Sequence, residues 1–333
     1  MSATAGRDWS SHAATWSPSA ATPCTARDAA STSAGTPTTT MSETLANDTT
    51  VGVVQTPAGG IEPSAVLDLG RTLRRHDLLV FPEMANTPYF PLAGVDPRYV
   101  PGRQALPLEQ VLDPYQVLAR RLASNMVVGV CFTDGRRLRN AAVVLDRQGG
   151  LVEGKGITTG NFRAVYDKTH LCNVRGYGST FVEDDHFHAG PELLTWDLDF
   201  ARIGVLICYD RHFPGAWATL TANSVDIVAV PTASPEGTKP IFAAEMQAMA
   251  LQQSVLVAVA NRHGREALGM SDVSYLGQSM VIGPDGRIIQ IAGTGSASTA
   301  TGTFAGTAVA TTARAMGMRG AQRPDLYTYR PTS

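Results

Sequence analysis

The sequence predicts an α/β fold, and three observations carry that prediction. Short apolar runs of strand length recur from residue 51 onward, and several of them are separated by stretches whose apolar residues fall at helical spacing. Turn-forming residues punctuate the alternation. Hydrophobic residues make up 44% of the 333 residues and charged residues 17%, enough apolar material for a sizeable core. That composition excludes a wholly disordered, collagen-like or coiled-coil protein.

In chain order, the first 50 residues stand apart, because about 31 of them are Ala, Ser or Thr and large aliphatic residues are almost missing. They read as a disordered leader, ahead of one domain over 51–333. A mis-called start before Met41 accounts for such a leader, with an organelle transit peptide as the alternative. The expected strands are VGVVQ (51–55), LLVF (78–81), MVVGVCF (126–132), NAAVVLD (140–146), RIGVLIC (202–208), DIVAV (226–230) and VLVAVAN (255–261). Val111, Leu118 and Leu122 share one helical face of 111–125, and Phe242, Met246, Met249 and Ala250 share one of 241–254. GPDGR (283–287) signals a hairpin, whereas 293–314, rich in Gly, Ala and Thr, reads as a weak strand or a loop.

Lys and Arg number 27 against 29 Asp and Glu, a net charge of -2, so a nucleic-acid or anionic-membrane partner is not expected. Nor does the chain contain a secretory h-region or an apolar run long enough for a membrane helix. Four cysteines, at 24, 131, 172 and 208, are too sparse for a disulfide framework and point to a reduced, cytoplasmic setting.

The segment most informative about chemistry is RIGVLICYDRHFPGAWATL (202–220). An apolar strand ends at Cys208, and a polar turn leads through Pro214 into the helix of Ala216, Trp217 and Leu220. A cysteine in such a turn lies near the positive end of the helix, where a nucleophile is needed, although most free cysteines at strand ends are small buried hydrophobes. Two further apolar runs deliver charged groups in the same manner: Glu83 in LLVFPEMANTPYF (78–90), a candidate general base, and Lys168 in RAVYDKTHL (163–171), a candidate cation for an oxyanion. Either alone is more often a solvated surface charge, but Glu, Lys and Cys in this order at three strand ends are harder to dismiss.

These three segments resemble the signatures of the nitrilase, or carbon-nitrogen hydrolase, superfamily over roughly residues 51–330. PTAS (231–234), NRHG (261–264), GQSMVIGPDG (277–286) and RPDLY (323–327) add to the resemblance. It implies a four-layer α-β-β-α sandwich, no metal or other cofactor, and a homodimer or higher oligomer. It also implies that Cys208 is the nucleophile, Glu83 the general base and Lys168 the stabiliser of the tetrahedral intermediate. Glu183, in FVEDDHFHAG (181–190), is similar to a second glutamate that helps position substrate.

Tyr209 and Asp210 follow the cysteine where true nitrilases usually carry Trp-Glu, which favours an amide over a nitrile. CYDRHFP (208–214), TPYF (87–90) with Tyr89, and MQAMALQQS (246–254) are similar to the branch that acts on N-carbamoyl compounds. A small amide or N-carbamoyl substrate is therefore expected, contacted by Arg211, Tyr209 and Tyr89. Arg211 stands where that branch grips a substrate carboxylate; the alternative is a salt bridge to a neighbouring acid. An amine-bearing substrate would instead call on Glu236 or Asp184. Gly215 and the long stretch 154–168 depart from the pattern, and with the loop 172–186 they leave the pocket shape open. A rival from another class is a zinc site built from His170, Cys172, His186 and His188. A non-catalytic binding protein that keeps the fold is the other.

Overall fold

A computed structural model describes residues 48–96, 106–176, 179–294 and 297–327. The leader up to residue 47 lies outside them, and the first strand, Thr49–Pro57, begins two residues before the expected boundary at 51. Every expected strand is present, most within three residues of their predicted ends, while the one expected over 255–261 runs on to Leu268.

Strand alternation explains the layering. In Thr49–Pro57, Leu78–Val80, Asn125–Thr133 and Leu138–Leu145, one set of side chains (Val51, Val53, Leu78, Val80, Val127, Ala142, Val144) enters a central apolar layer. The opposite set (Val54, Leu79, Met126, Val128, Val143) packs against Val111, Leu112, Tyr115 and Leu118 of helix Leu108–Leu122. Strands Arg202–Val205, Ile227–Thr232 and Leu256–Leu268 divide in the same way. Ile203, Val205, Ile227, Ala229, Leu256 and Ala258 meet the central layer. Val228, Val230, Val257 and Val259 meet Trp217, Leu220, Phe242 and Met246 of helices Pro214–Ala222 and Lys239–Gln253. Residues one apart point to opposite faces of a strand, so three apolar layers separate four layers of structure. This is the expected α-β-β-α sandwich.

The two sheet halves are continuous. Thr49–Pro57 pairs in parallel with Leu78–Val80 on one side and with Leu256–Leu268 on the other, the second time only at Thr56 with Arg262 and Pro57 with His263. So brief a junction lets one mixed sheet curl face to face with itself. Parallel neighbours of Leu78–Val80 (Asn125–Thr133) and of Leu256–Leu268 (Ile227–Thr232, then Arg202–Val205) bring several strand C-termini towards one region.

GPDGR forms the turn between strands Met280–Ile282 and Ile288–Ile291, as expected. The stretch 293–314 is more ordered than its composition suggests. Strand Ser298–Phe304 runs antiparallel to Thr49–Pro57 over seven residue pairs, and helix Ala308–Met316 follows. Pairing with a buried strand overrides weak local propensity there. Among the described residues no helix is long and apolar enough to cross a membrane.

Candidate active site

Glu83, Lys168 and Glu183 come together in a cluster with no solvent exposure. Glu83 follows strand Leu78–Val80, and Met84 after it holds a left-handed backbone (φ 48), unusual for a residue with a Cβ. Lys168 ends the short strand Tyr166–Asp167, which pairs with Ala141 and Ala142, and its N–H donates to the Asn140 carbonyl at 3.0 Å. The Lys168 Nζ donates to Glu83 Oε1 at 2.8 Å and to Glu183 Oε1 at 2.6 Å. Glu183 opens a 3-10 turn, Glu183–Asp185, and its Oε2 accepts the Cys172 N–H at 2.7 Å. Asn140 Nδ2 donates to Glu83 Oε1 at 2.8 Å. The other Glu83 oxygen, Oε2, is buried and has no hydrogen-bond partner among the described residues.

Two carboxylates share one ammonium in a cluster closed to solvent. Burial alone would pull the Lys168 ammonium down, yet Glu183 and then Glu83 outweigh it and hold it well above its ordinary value. Burial pushes the Glu183 carboxyl up, against the pull of Lys168 and with the help of Glu83.

Cys208 starts a 3-10 turn, Cys208–His212, between strand Arg202–Val205 and helix Pro214–Ala222. Its φ of 47 places it in the left-handed region, the strained elbow geometry that turns a side chain out of a sheet. The residue is partly exposed, and the Thr232 hydroxyl donates to its Sγ at 3.2 Å. Burial of the sulfur, then the Glu83 charge, push the thiol above its ordinary value; Lys168, Arg211 and the Thr232 hydrogen bond oppose them. On balance these influences favour the thiol over the thiolate.

Asp210 fixes the elbow to the lysine segment. One oxygen accepts the Ile207 N–H at 2.9 Å and the Tyr166 hydroxyl at 2.8 Å. The other accepts the His170 N–H at 2.7 Å and the Thr169 hydroxyl at 2.8 Å, and pairs with His170 Nδ1 at 2.8 Å.

The three residues expected to contact substrate differ in their settings. Arg211 is 2% exposed, with Nε on Glu245 Oε2 at 3.2 Å and Nη1 on the Cys208 carbonyl at 2.8 Å. It also lies over the Phe242 ring, 5.4 Å from the centroid. The geometry is that of the salt bridge weighed against the carboxylate grip. Tyr89 is buried and donates its hydroxyl to Glu183 Oε1 at 2.6 Å. The partly exposed Tyr209 packs edge-on against His212 and Phe213. Of the four residues named for zinc, His170 is tied to Asp210 and stacked on Phe213, and His186 sits edge-on to Phe90. Among the described residues no group of three or more His, Cys, Asp or Glu side chains is placed to hold a metal ion.

Sequence reasoning assigned no role to Asn140, Thr232, Asp210 or Arg262. Thr232 and Arg262 lie inside PTAS and NRHG, and Asp210 beside the nucleophile; Asn140 merely opens an apolar run and gave no signal.

A family model, carbon-nitrogen hydrolase, matches residues 66–314. The chain belongs to the carbon-nitrogen hydrolase family. Among curated members, N-carbamoylputrescine amidase of Arabidopsis thaliana is 28% identical over 175 residues, 49% of this chain and 57% of that protein. Deaminated glutathione amidase of Yersinia enterocolitica is 29% identical over 133 residues, 39% of this chain and 46% of that protein. Citrullinase of Francisella tularensis is 25% identical over 213 residues, 61% and 65% of the two chains. This family member spans about half the length of the first curated relatives it matches. In fold it is similar to a carbon-nitrogen hydrolase from Helicobacter pylori G27, with a TM-score of 0.69 at 17% identity, covering 84% of this chain and 97% of that one. An amidase from Nesterenkonia sp. superposes with a TM-score of 0.61 at 20% identity, covering 84% and 95%.

Proposed function

We propose that this chain hydrolyses a non-peptide carbon–nitrogen bond in a small amide or N-carbamoyl compound, with Cys208 as nucleophile. The observation that carries the reading is a strained, partly exposed Cys208 within electrostatic reach of Glu83 and Lys168, two members of the buried Glu83–Lys168–Glu183 cluster. Glu83, through its unpartnered Oε2, takes the thiol proton as sulfur attacks the carbonyl carbon. The oxyanion of the tetrahedral intermediate is met by the Lys168 ammonium and the Tyr209 N–H. Collapse breaks the C–N bond, Glu83 returns its proton to the leaving nitrogen, and ammonia departs. A thioester or thiocarbamate remains on Cys208. Water, deprotonated by the same carboxylate, attacks that carbon and restores the thiol. Glu183 holds Lys168 in place and keeps it charged.

Arg211 is occupied by Glu245 and the Cys208 carbonyl, which favours simple amides and amine-bearing carbamoyl compounds over carbamoyl acids. A relative named N-carbamoylputrescine amidase supports the same direction. Asp184 and Glu236, the acids named for an amine substrate, are both exposed to solvent. Assembly into a homodimer or larger oligomer belongs to the proposal and is read by sedimentation.

The test is ammonia release from a panel of N-carbamoyl acids, N-carbamoyl amines, simple amides and nitriles, with Cys208→Ala as control. Release from amides or carbamoyl amines that disappears in Cys208→Ala, with the fold retained by circular dichroism, supports the reading. Turnover that survives Cys208→Ala removes the nucleophile assignment.

A further inference from the structure

Arg262 lies on strand Leu256–Leu268, where the two sheet halves join, and has no solvent exposure. Its guanidinium lies over the Tyr275 ring, 5.5 Å from the centroid, but has little carboxylate compensation for so deep a charge. Nη1 reaches a carboxylate, Glu266 Oε2, only at 3.5 Å, and Nε has no hydrogen-bond partner among the described residues. Burial of an ion on such terms is costly, and an apolar side chain of similar volume would fill the space more cheaply.

Nη2 shows what the arrangement accomplishes. It donates to three backbone carbonyls of one turn: Glu83 at 2.8 Å, Met84 at 2.7 Å and Thr87 at 3.2 Å. Met84 is the left-handed residue of that turn, so the clamp sits where the backbone is least able to hold itself. Glu266 extends the same network. Its Oε1 accepts the Tyr89 N–H at 3.0 Å, and the Tyr89 hydroxyl in turn reaches Glu183.

We infer that Arg262 and Glu266 are positioning residues, which through the Glu83 turn and Tyr89 hold Glu83 and Glu183 against Lys168. This rests on the reading of Glu83 as the base. Both are buried, Arg262 fully and Glu266 nearly so. A base that must collect a proton from sulfur and deliver it to nitrogen tolerates little drift, so loosening the clamp lowers kcat and leaves KM nearly unchanged.

The experiment compares wild type, Arg262→Lys, Glu266→Gln, Glu83→Gln and Cys208→Ala on the compound from which wild type releases ammonia fastest. A lysine keeps the charge on a single nitrogen, so it cannot span Glu266 and the three carbonyls as the two terminal nitrogens of the guanidinium do. Arg262→Lys is expected to lose about 10- to 100-fold in kcat with KM within about threefold of wild type. Glu266→Gln is expected to lose several-fold in the same parameter. The pH midpoint of Cys208 alkylation by iodoacetamide, read by mass spectrometry, should move in Arg262→Lys towards the Glu83→Gln value, which a purely structural role would not produce. Unchanged kcat and midpoint in folded variants, or a rise in KM alone, would overturn the inference. Should Arg262→Lys fail to fold, Glu266→Gln decides. If Cys208→Ala or Glu83→Gln retains turnover, the reading of the site itself fails, an outcome distinct from failure of the clamp alone.

Discussion

Cys208 is pulled in opposite directions by two neighbours, and that gives a sharp test. The Glu83 charge raises the thiol, whereas the Thr232 hydroxyl, donating to sulfur, lowers it. Glu83→Gln should therefore move the midpoint for Cys208 alkylation to lower pH while turnover drops by at least about 100-fold, because the base is gone. Thr232→Val should move the midpoint to higher pH and reduce kcat on the order of tenfold, the worth of one hydrogen bond to a developing thiolate. Site-specific mass spectrometry is needed, since Cys172 is also partly exposed. A shift of the same sign in both variants would contradict the arrangement. At this scale Glu83, Lys168, Cys208 and Glu183 were legible, because each sits in a short stretch with its own residue pattern. Arg211 shows the limit. Its distance along the chain from Cys208 is visible in the sequence, but Glu245, which occupies its guanidinium, lies 34 residues away on another helix.

Elements meet at the site more tightly than periodicity can show. A Cβ at Gly129, in the middle of strand Asn125–Thr133, would stand 2.7 Å from the Glu83 Cα and closer still to the Pro82 carbonyl. The glycine is thus required by the approach of the Glu83 turn across that strand. Gly129→Ala is expected to destabilise by about 1–3 kcal/mol, the usual cost of overpacking. It should also lower kcat beyond what the loss of folded protein explains, as the turn is pushed away from Lys168. Chemical denaturation beside kinetics separates the two effects, and full activity per folded molecule would show that the turn accommodates the methyl group. The strand itself was read correctly as MVVGVCF, and alternation sufficed for that. What alternation lacked was the identity of the neighbour on each face, and the same gap concealed Asn140, whose side chain crosses from its strand to Glu83. Composition left 293–314 open between a weak strand and a loop for a related reason: Gly, Ala and Thr form a strand at Ser298–Phe304 because seven partners of Thr49–Pro57 await them.

At the scale of the molecule, the sequence patterns alone supported an α/β alternation, and the sandwich came with the resemblance. The curl of one sheet onto itself depends on the two-residue junction between Thr49–Pro57 and Leu256–Leu268, a long-range pairing that no local pattern encodes. Because both halves contribute to the same central layer, they should unfold together. Ile203 is fully buried in that layer, opposite Ile227 on the neighbouring strand. Ile203→Ala should cost about 3 kcal/mol, from lost burial and the cavity left behind. The two described tryptophans report on different layers, Trp196 on the central one and Trp217 on the outer layer beneath helices Pro214–Ala222 and Lys239–Gln253. With Trp9, Trp16 and either of these two replaced by Phe, fluorescence from the remaining tryptophan should give the same denaturant midpoint. Ile203→Ala should lower both midpoints equally, although Trp217 lies outside the layer where the cavity forms. An earlier transition at Trp196 alone would mean that the halves fold independently, and a site assembled from both, with Glu83 on one and Cys208 on the other, would then depend on a docking step rather than on one cooperative core.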